Sequence, residues 1–273
     1  MAAKGEALNI DEIRKQLSEA AQGLRLEVYP EVTSTNTMLK QEAVQGEPEG
    51  KVILAERQTA GKGRLGRRFF SPENTGLYMS LLLRPELAPQ ESLLLTTAAA
   101  VAAAKAIESV TGEPAAIKWV NDIYCRGKKA VGILTEGGMQ TDSRRLAYAI
   151  VGIGINLWPP EGGFPEELRG IAGSVFPEKP MRARLRETMA ALVLSELMQI
   201  YPVLTQRKFM QEYRSRSMVI GRQVRLQTAE HTLSVDSPLV KVLDIDDDAQ
   251  LVIQDSDGQI RRVSSGEVSV KLS

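Results

Sequence analysis

By the period of its apolar positions, the chain divides into a long first part that mixes strand and helix signals and a short last part of strands alone. Asn9 followed by Glu12 has the form of a capping box, and Ile13, Leu17 and Ala20 or Ala21 recur at helical spacing until Gly23, which predicts one short helix. A strand follows over 26–32, and then Thr33-Ser34-Thr35-Asn36, a run of small hydroxyl and amide side chains, leads into a helix through Met38, Leu39 and Ala43 that stops near Gly46. Apolar runs predict strands at 51–56 and 76–84. The leucine- and alanine-rich stretch 92–110 predicts a long helix buried against the sheet and ended by Gly112 and Pro114. A short strand at 115–119, a hairpin around Gly127 with strands at 124–126 and 129–136, and a strand at 146–156 come next. In the last of these, Gly152-Ile153-Gly154-Ile155-Asn156 suits close backbone packing against a ligand or a neighbouring strand. Residues 158–180, rich in Pro, Gly and Glu, read as a long surface loop with a helical turn at 166–169. Helices are predicted from 185 to 200 and from 203 to about 215. Beyond Gly221, short alternating strands are separated by turn signals at Asp246-Asp247-Asp248, Asp257-Gly258 and Ser265-Gly266, which predicts a small β-barrel. The expected organisation is an N-terminal helix and linker at 1–25, a main domain at 26–216 and the barrel at 217–273.

Composition narrows the chemistry. With 273 residues, 43% of them hydrophobic, the chain can bury a sizeable core. The formal charge is zero, so any polyanion site must be local. A single cysteine, Cys125, excludes an internal disulfide framework and fits a reducing compartment. The N-terminus carries no apolar signal core, and no segment reaches the roughly 18 apolar residues of a membrane span. A soluble cytoplasmic protein is expected. One cysteine and one histidine cannot build a zinc site from several such ligands, and a nucleophile–histidine arrangement could use only His231. His231 lies in an alternating, strand-like stretch that suits a structural or exposed position. Catalysis must therefore rest on charge, positioning and carboxylates.

The local charge is concentrated in Gln58-Thr59-Ala60-Gly61-Lys62-Gly63-Arg64-Leu65-Gly66-Arg67-Arg68, where three glycines alternate with four cations and no acid intervenes. Glycines let the backbone take positive φ and approach a ligand, and the cations can neutralise phosphate oxygens. The same residues would equally make a mobile, solvated basic loop. No phosphate-loop pattern G-x-x-x-x-G-K-[ST] occurs. Gly61, Gly63 and Gly66 have dinucleotide-turn spacing, but such a turn is apolar and opens a helix, whereas Phe69-Phe70-Ser71-Pro72 suits an extended chain. Two further clusters stand out: Lys118-Trp119-Val120-Asn121-Asp122 directly after an apolar run, and Lys129 at a strand start, where a lysine is ordinarily solvated. Ser34 or Thr35 could serve simply as a helix N-cap.

Taken together, Thr33-Ser34-Thr35-Asn36, the Gln58–Arg67 stretch, Lys118-Trp119-Val120-Asn121-Asp122 and Lys129-Ala130-Val131-Gly132-Ile133-Leu134 resemble the biotin protein ligases in order and spacing, from about residue 26 to the end. The resemblance implies an α+β fold: a central mixed β-sheet with packed helices, the class II synthetase-like biotin/lipoate ligase fold, and a C-terminal SH3-like barrel. It implies a two-step reaction in which biotin and ATP, with Mg²⁺, form biotinyl-5′-AMP, after which a lysine of a biotin carboxyl carrier domain of a carboxylase takes the biotinyl group. Ser34, Thr35, Asn36, Gln58, Gly61, Lys62, Gly63, Arg64, Lys129 and Gly132 are the expected biotin residues. Arg64 and Lys129 are the expected catalytic pair, and Arg67, Phe69, Lys118, Asn121 and Asn156 the expected adenylate residues, with no protein-built metal site.

These roles suit the residues. Hydroxyls and amides can satisfy a neutral ureido head, and Asn36 can hold the junction. Arg64 and Lys129, with Lys62, can screen the repulsion between biotin's carboxylate and the α-phosphate. Phe69 can stack on adenine, and Asp122 can orient Lys118 or the incoming lysine. Biotinyl-AMP must be kept from water, so a glycine-rich loop that orders over it fits. The chain departs from the family pattern in having Lys62 for the common arginine, Val120 for proline and Phe69 for the frequent tryptophan. One helix before residue 26 is too little for a DNA-binding winged helix, so the chain resembles the ligase-only type, or one trimmed to it, and no DNA partner is expected. A homodimer through the sheet is left open. The alternatives are a ligase for lipoate or octanoate, whose substrates lack a ureido head, and a regulator that binds biotinyl-AMP without transferring it.

Overall fold

The first apolar stretch builds a shorter helix than its spacing predicts. In the computed structural model, which describes residues 7–140, 144–228, 239–264 and 268–272, α1 spans Ile10–Arg14 and Asn9 Oδ1 caps it by accepting the Asp11 and Glu12 amides. The other half of the capping box is not made: Glu12 pairs with Lys15 at 2.7 Å, and the Asn9 amide donates to Glu187. The Ser18 amide then donates to Ser195 Oγ on a distant helix, and only a 3₁₀ turn follows at Glu19–Ala21. A tertiary contact has overridden the period.

The main domain carries β1 (Arg25–Val32), α2 (Thr35–Val44), β2 (Lys51–Gln58), β3 (Gly76–Leu83), α3 (Ser92–Thr111), β4 (Ala116–Lys118), β5 (Asp122–Cys125), β6 (Lys128–Met139) and β7 (Leu146–Asn156). The seven strands form one sheet in the order β1-β2-β3-β7-β6-β5-β4, parallel between β1 and β2 and antiparallel elsewhere. This is the mixed sheet the family resemblance implies. Every residue of β3 is buried, which explains its unbroken apolar run, since helices cover both faces of the sheet. On one face lie α3 and α4 (Leu185–Ile200), packed against each other; on the other, α2 seals a smaller cluster of Leu39, Ala43, Ile53, Leu82, Tyr148 and Ile150. Each large apolar side chain buried this way contributes about 1.5–3 kcal/mol.

Two helical stretches, Pro89–Thr111 and Leu185–Gln206, are long and apolar enough by length and composition to cross a membrane, contrary to the sequence reading. They are the core helices of this sheet, which is why they are apolar on several sides. The second predicted C-terminal helix is also revised. Arg207, at φ 57°, divides it into a 3₁₀ stretch that starts earlier, at Tyr201–Gln206 with Pro202 in its first turn, and α5 (Phe209–Ser215).

The last part forms a separate antiparallel sheet of β8 (Gln223–Thr228), β9 (Leu239–Ile245), β10 (Leu251–Gln254), β11 (Ile260–Val263) and β12 (Val268–Leu272), in the order β11-β10-β9-β8-β12. Near the expected boundary, Ser217 bridges to Ile117, so the connector lies alongside β4. His231 and the Ser265-Gly266 turn fall outside the described residues.

Candidate functional site

The sequence clusters converge where β2, β6 and β7 expose their ends. A cleft of about 380 Å³ is lined by the basic loop, Lys118, Trp119, Asn121, Asp122, Lys129, Gly132 and Asn156. Its centre is a charge cluster. Arg64 donates to Asn121 Oδ1 at 3.0 Å, and Asn121 is fixed to β6 by Nδ2 donation to the Ile133 carbonyl and by its own carbonyl accepting the Ile133 amide. Lys129 Nζ lies 2.6 Å from Asp122 Oδ1. Asp122 thus orients Lys129; Lys118, which the sequence reading offered to Asp122 beside the incoming lysine, is its cross-strand neighbour and lies 5.8 Å over the Tyr124 ring. Burial pushes the Arg64 guanidinium below its usual pKa, and Asp122 nearby opposes that shift. The guanidinium remains a cation.

Lys129 is not the solvated strand-start lysine its position suggests. A register shift between β5 and β6 sets it opposite Tyr124 while Gly132 faces Asp122, and a bulge of this kind re-aims a side chain. Its backbone is held from the other side, its amide donating to the Ile171 carbonyl and its carbonyl accepting the Gly173 amide. Asn156, through Nδ2 to the Gly173 carbonyl at 3.0 Å, ties down the same loop. The 158–180 stretch is therefore part of the site, contributing Phe164, Leu168 and Ile171 as an apolar wall. Sequence reasoning missed these residues; the one signal was the helical turn at 166–169, which is the 3₁₀ segment Glu166–Leu168 and carries Leu168.

The predicted biotin residues form a second space. Ser34, Thr35, Asn36 and Gln58 line a recess of only about 20 Å³, room for about one water. Ser34 takes the N-cap position of α2, but its hydroxyl makes no capping bond. The cap comes from Gln58 instead, whose Oε1 accepts the Thr35 amide at 2.9 Å and hydroxyl at 3.2 Å, while Nε2 donates to Ser71 Oγ. Asn36 does hold the junction. It donates to Glu136 Oε2 and the Leu134 carbonyl, with Ser80 Oγ 2.6 Å from its Oδ1.

Phe69 lies between recess and cleft, its ring over Gly132 and Gly154 and edge-on to Tyr78 at 6.4 Å. Gly154 seats this ring and Gly152 seats the Asn36 amide, which explains both glycines of β7. In the basic loop, only Gly66 uses positive φ, with Leu65 joining it at φ 56°. Gly61 is required for close approach, since a Cβ there would meet the Phe69 carbonyl at 2.4 Å, and Gly63 faces the Arg67 backbone at 3.3 Å. Arg67 shares the cleft, and Lys62 lines both cleft and recess with its ammonium 3.6 Å from Glu136.

Fold and site together define a class: an α+β protein in which a small polar recess and a cleft of about 380 Å³ meet at Phe69 and Gly132, with Arg64 and Lys129 in the cleft. Residues 28–156 match the Biotin/lipoate A/B protein ligase family, and residues 219–271 match the Biotin protein ligase C terminal domain. The chain is 35% identical to the bifunctional ligase/repressor BirA of Bacillus subtilis, over 96% of this chain and 79% of that protein. It is 31% identical to the biotin–[acetyl-CoA-carboxylase] ligase of Mycobacterium tuberculosis, over 94% and 93% of the two chains. The biotin protein ligase of Aquifex aeolicus in complex with biotin and ATP superposes with a TM-score of 0.69 at 28% identity, covering 91% and 99%. The chain belongs to the biotin protein ligase family. It is an ATP-dependent ligase that attaches biotin to a protein.

Proposed function

We propose that the recess beneath Phe69 takes the ureido head of biotin, that the cleft takes ATP, and that Arg64 and Lys129 act where the two meet. The observation that carries this is the pairing of Arg64 with Asn121 and Lys129 with Asp122, which holds two cations in the cleft whose wall shares Lys62, Phe69, Gly132 and Leu134 with the recess. There the carboxylate of biotin and the α-phosphate of ATP would be brought together, and fixed positive charge would offset their repulsion as the bond forms. Ser34, Thr35 and Gln58 would satisfy the head, and Gly61, Gly63 and Gly132 would allow it close. Phe164, Leu168 and Ile171 would face the adenine, with Arg67, Lys118 and Asn156 on the nucleotide side. In the second step, Asp122 would accept the incoming lysine's proton as Lys129 turns to the adenylate.

For biotin to enter a recess of about 20 Å³, Phe69 must lift away with its loop. The glycines supply that movement, and reclosure would shield biotinyl-AMP from water. The described residues hold no group of three or more metal-ligating side chains, and Asp122 and Glu136 are engaged by lysines. Mg²⁺ would therefore arrive on the phosphates of ATP, as this ion commonly does. The acceptor is the biotin carboxyl carrier domain of a carboxylase, in the cytoplasm, without DNA or membrane partners; the main domain runs over 26–216, and the SH3-like barrel over 217–273. Pyrophosphate exchange with biotin, lipoate and octanoate supplied in turn tests the substrate. Exchange with biotin alone is expected, and exchange with lipoate alone would overturn the assignment.

A further inference from the structure

The segment Trp119–Asp122 carries Asn121 and Asp122, the partners of both cations, yet β4 before it is only three residues long. Two hydrogen bonds hold the segment from outside the sheet. The Trp119 indole donates to the Ala249 carbonyl at 2.9 Å, and the Tyr213 hydroxyl donates to the Val120 carbonyl at 3.0 Å. Ala249 is fully buried and sits at φ 60°, a conformation a non-glycine residue adopts rarely. The turn before it is Asp246-Asp247-Asp248, and each acid has a separate task. Asp246 Oδ1 accepts the Asp248 and Gln250 amides, Asp247 pairs with Arg214 at 2.8 Å, and Asp248 pairs with Arg207 at 2.8 Å. Arg214 also donates to the Ile245 carbonyl at 3.1 Å. Tyr213 and Arg214 are neighbours on α5, so one helix reaches the segment and the turn together.

We propose that Tyr213 and the 246–249 turn of the small domain are positioning elements for the reaction, acting through Trp119 and Val120 to keep Asn121 against Arg64. The proposal rests on placing the chemistry at Arg64 and Lys129. Arg64 reaches Asn121 through a 3.0 Å bond, and a shift of the segment by about 1 Å would lose it. Misplacement on that scale costs on the order of 100-fold in rate.

Steady-state biotin-dependent pyrophosphate exchange should be measured for Tyr213→Phe and for the shape-conserving double variant Asp247→Asn/Asp248→Asn, each alone and combined with Asn121→Ala. The expected result is a kcat lowered by about 10-fold or more for Tyr213→Phe and several-fold for the double variant. KM for biotin should stay near the parent value, and the further loss in the Asn121→Ala background should be small. A merely structural clamp would instead give losses that multiply with that of Asn121→Ala, and this outcome, or an unchanged kcat in both variants, overturns the proposal. If Tyr213→Phe does not fold, the Asp247/Asp248 double variant decides by the same criterion. An Asn121→Ala protein with parent kcat would overturn the placement of the chemistry as well, which separates the two failures.

Discussion

Two glycines on β7 should respond differently to the same methyl group. A Cβ at residue 152 would lie 2.0 Å from Asn36 Oδ1, and one at residue 154 would lie 2.5 Å from a Phe69 ring carbon. Asn36 cannot yield cheaply, because its amide is bonded to Glu136, the Leu134 carbonyl and Ser80. Overpacking costs about 1–3 kcal/mol, and a buried polar group left without its partner about 1–3 kcal/mol more, so Gly152→Ala should cost about 3 kcal/mol. That corresponds to a melting temperature lower by roughly 6–12 °C. Phe69 can swing out, losing mainly its edge contact with Tyr78, about 1 kcal/mol or roughly 2–4 °C for Gly154→Ala. Biotin binding should show a large effect for Gly154→Ala despite its near-normal stability, because the added methyl occupies the floor of the recess. A steric cost of about 1–3 kcal/mol predicts a Kd weaker by roughly 5- to 150-fold. Thermal melts and calorimetric titration of biotin on both variants decide it. Parent-like biotin affinity in Gly154→Ala, or equal melting temperatures for the two variants, would refute the reasoning.

Arg64→Ala and Lys129→Ala should each lower biotin-dependent pyrophosphate exchange by roughly 10²- to 10³-fold; transfer to a carrier domain at the parent rate would remove both from their assigned roles. Protease cleavage within Gly61 to Arg68 should slow markedly when biotin and ATP are both present, and unchanged cleavage would end the idea that this loop closes over the intermediate. Burial raises the Cys125 thiol to about 11 from its ordinary 9, with Arg126 opposing the shift. Between these values the unfolded chain releases the proton while the folded chain keeps it, so stability should fall as pH rises from about 9 to about 11. Urea unfolding of the parent and Cys125→Ser at pH 8 and pH 10 should show the larger loss in the parent, and identical losses would contradict it.

Most of the fold was legible in the period of the chain because β3, α3 and β7 are buried on several sides, and burial writes long apolar runs. What failed was local. The N-terminal helix ends early because Ser18 is claimed by Ser195, and the predicted 203–215 helix divides at Arg207. The site was legible where its chemistry is dense in sequence, in the basic loop and at Asn121, Asp122 and Lys129. Its apolar wall was not, because Phe164, Leu168 and Ile171 stand in an aperiodic loop and acquire a shared direction only when Lys129 and Asn156 pin its backbone. Nor could spacing reveal that Gln58, rather than Ser34, caps α2, or that Asp246-Asp247-Asp248 fastens the small domain as well as turning the chain.

On this reading the two cations serve both activation of biotin and its delivery to a protein lysine. Intact-mass analysis of a biotin carboxyl carrier domain, after incubation with the protein, biotin and ATP, tests it most directly. One biotinyl group on a single lysine, absent without ATP and nearly absent with Lys129→Ala, is the predicted result. An unmodified carrier alongside tight retention of biotinyl-AMP, or a carrier bearing lipoyl or octanoyl groups in preference when those acids compete, would contradict it.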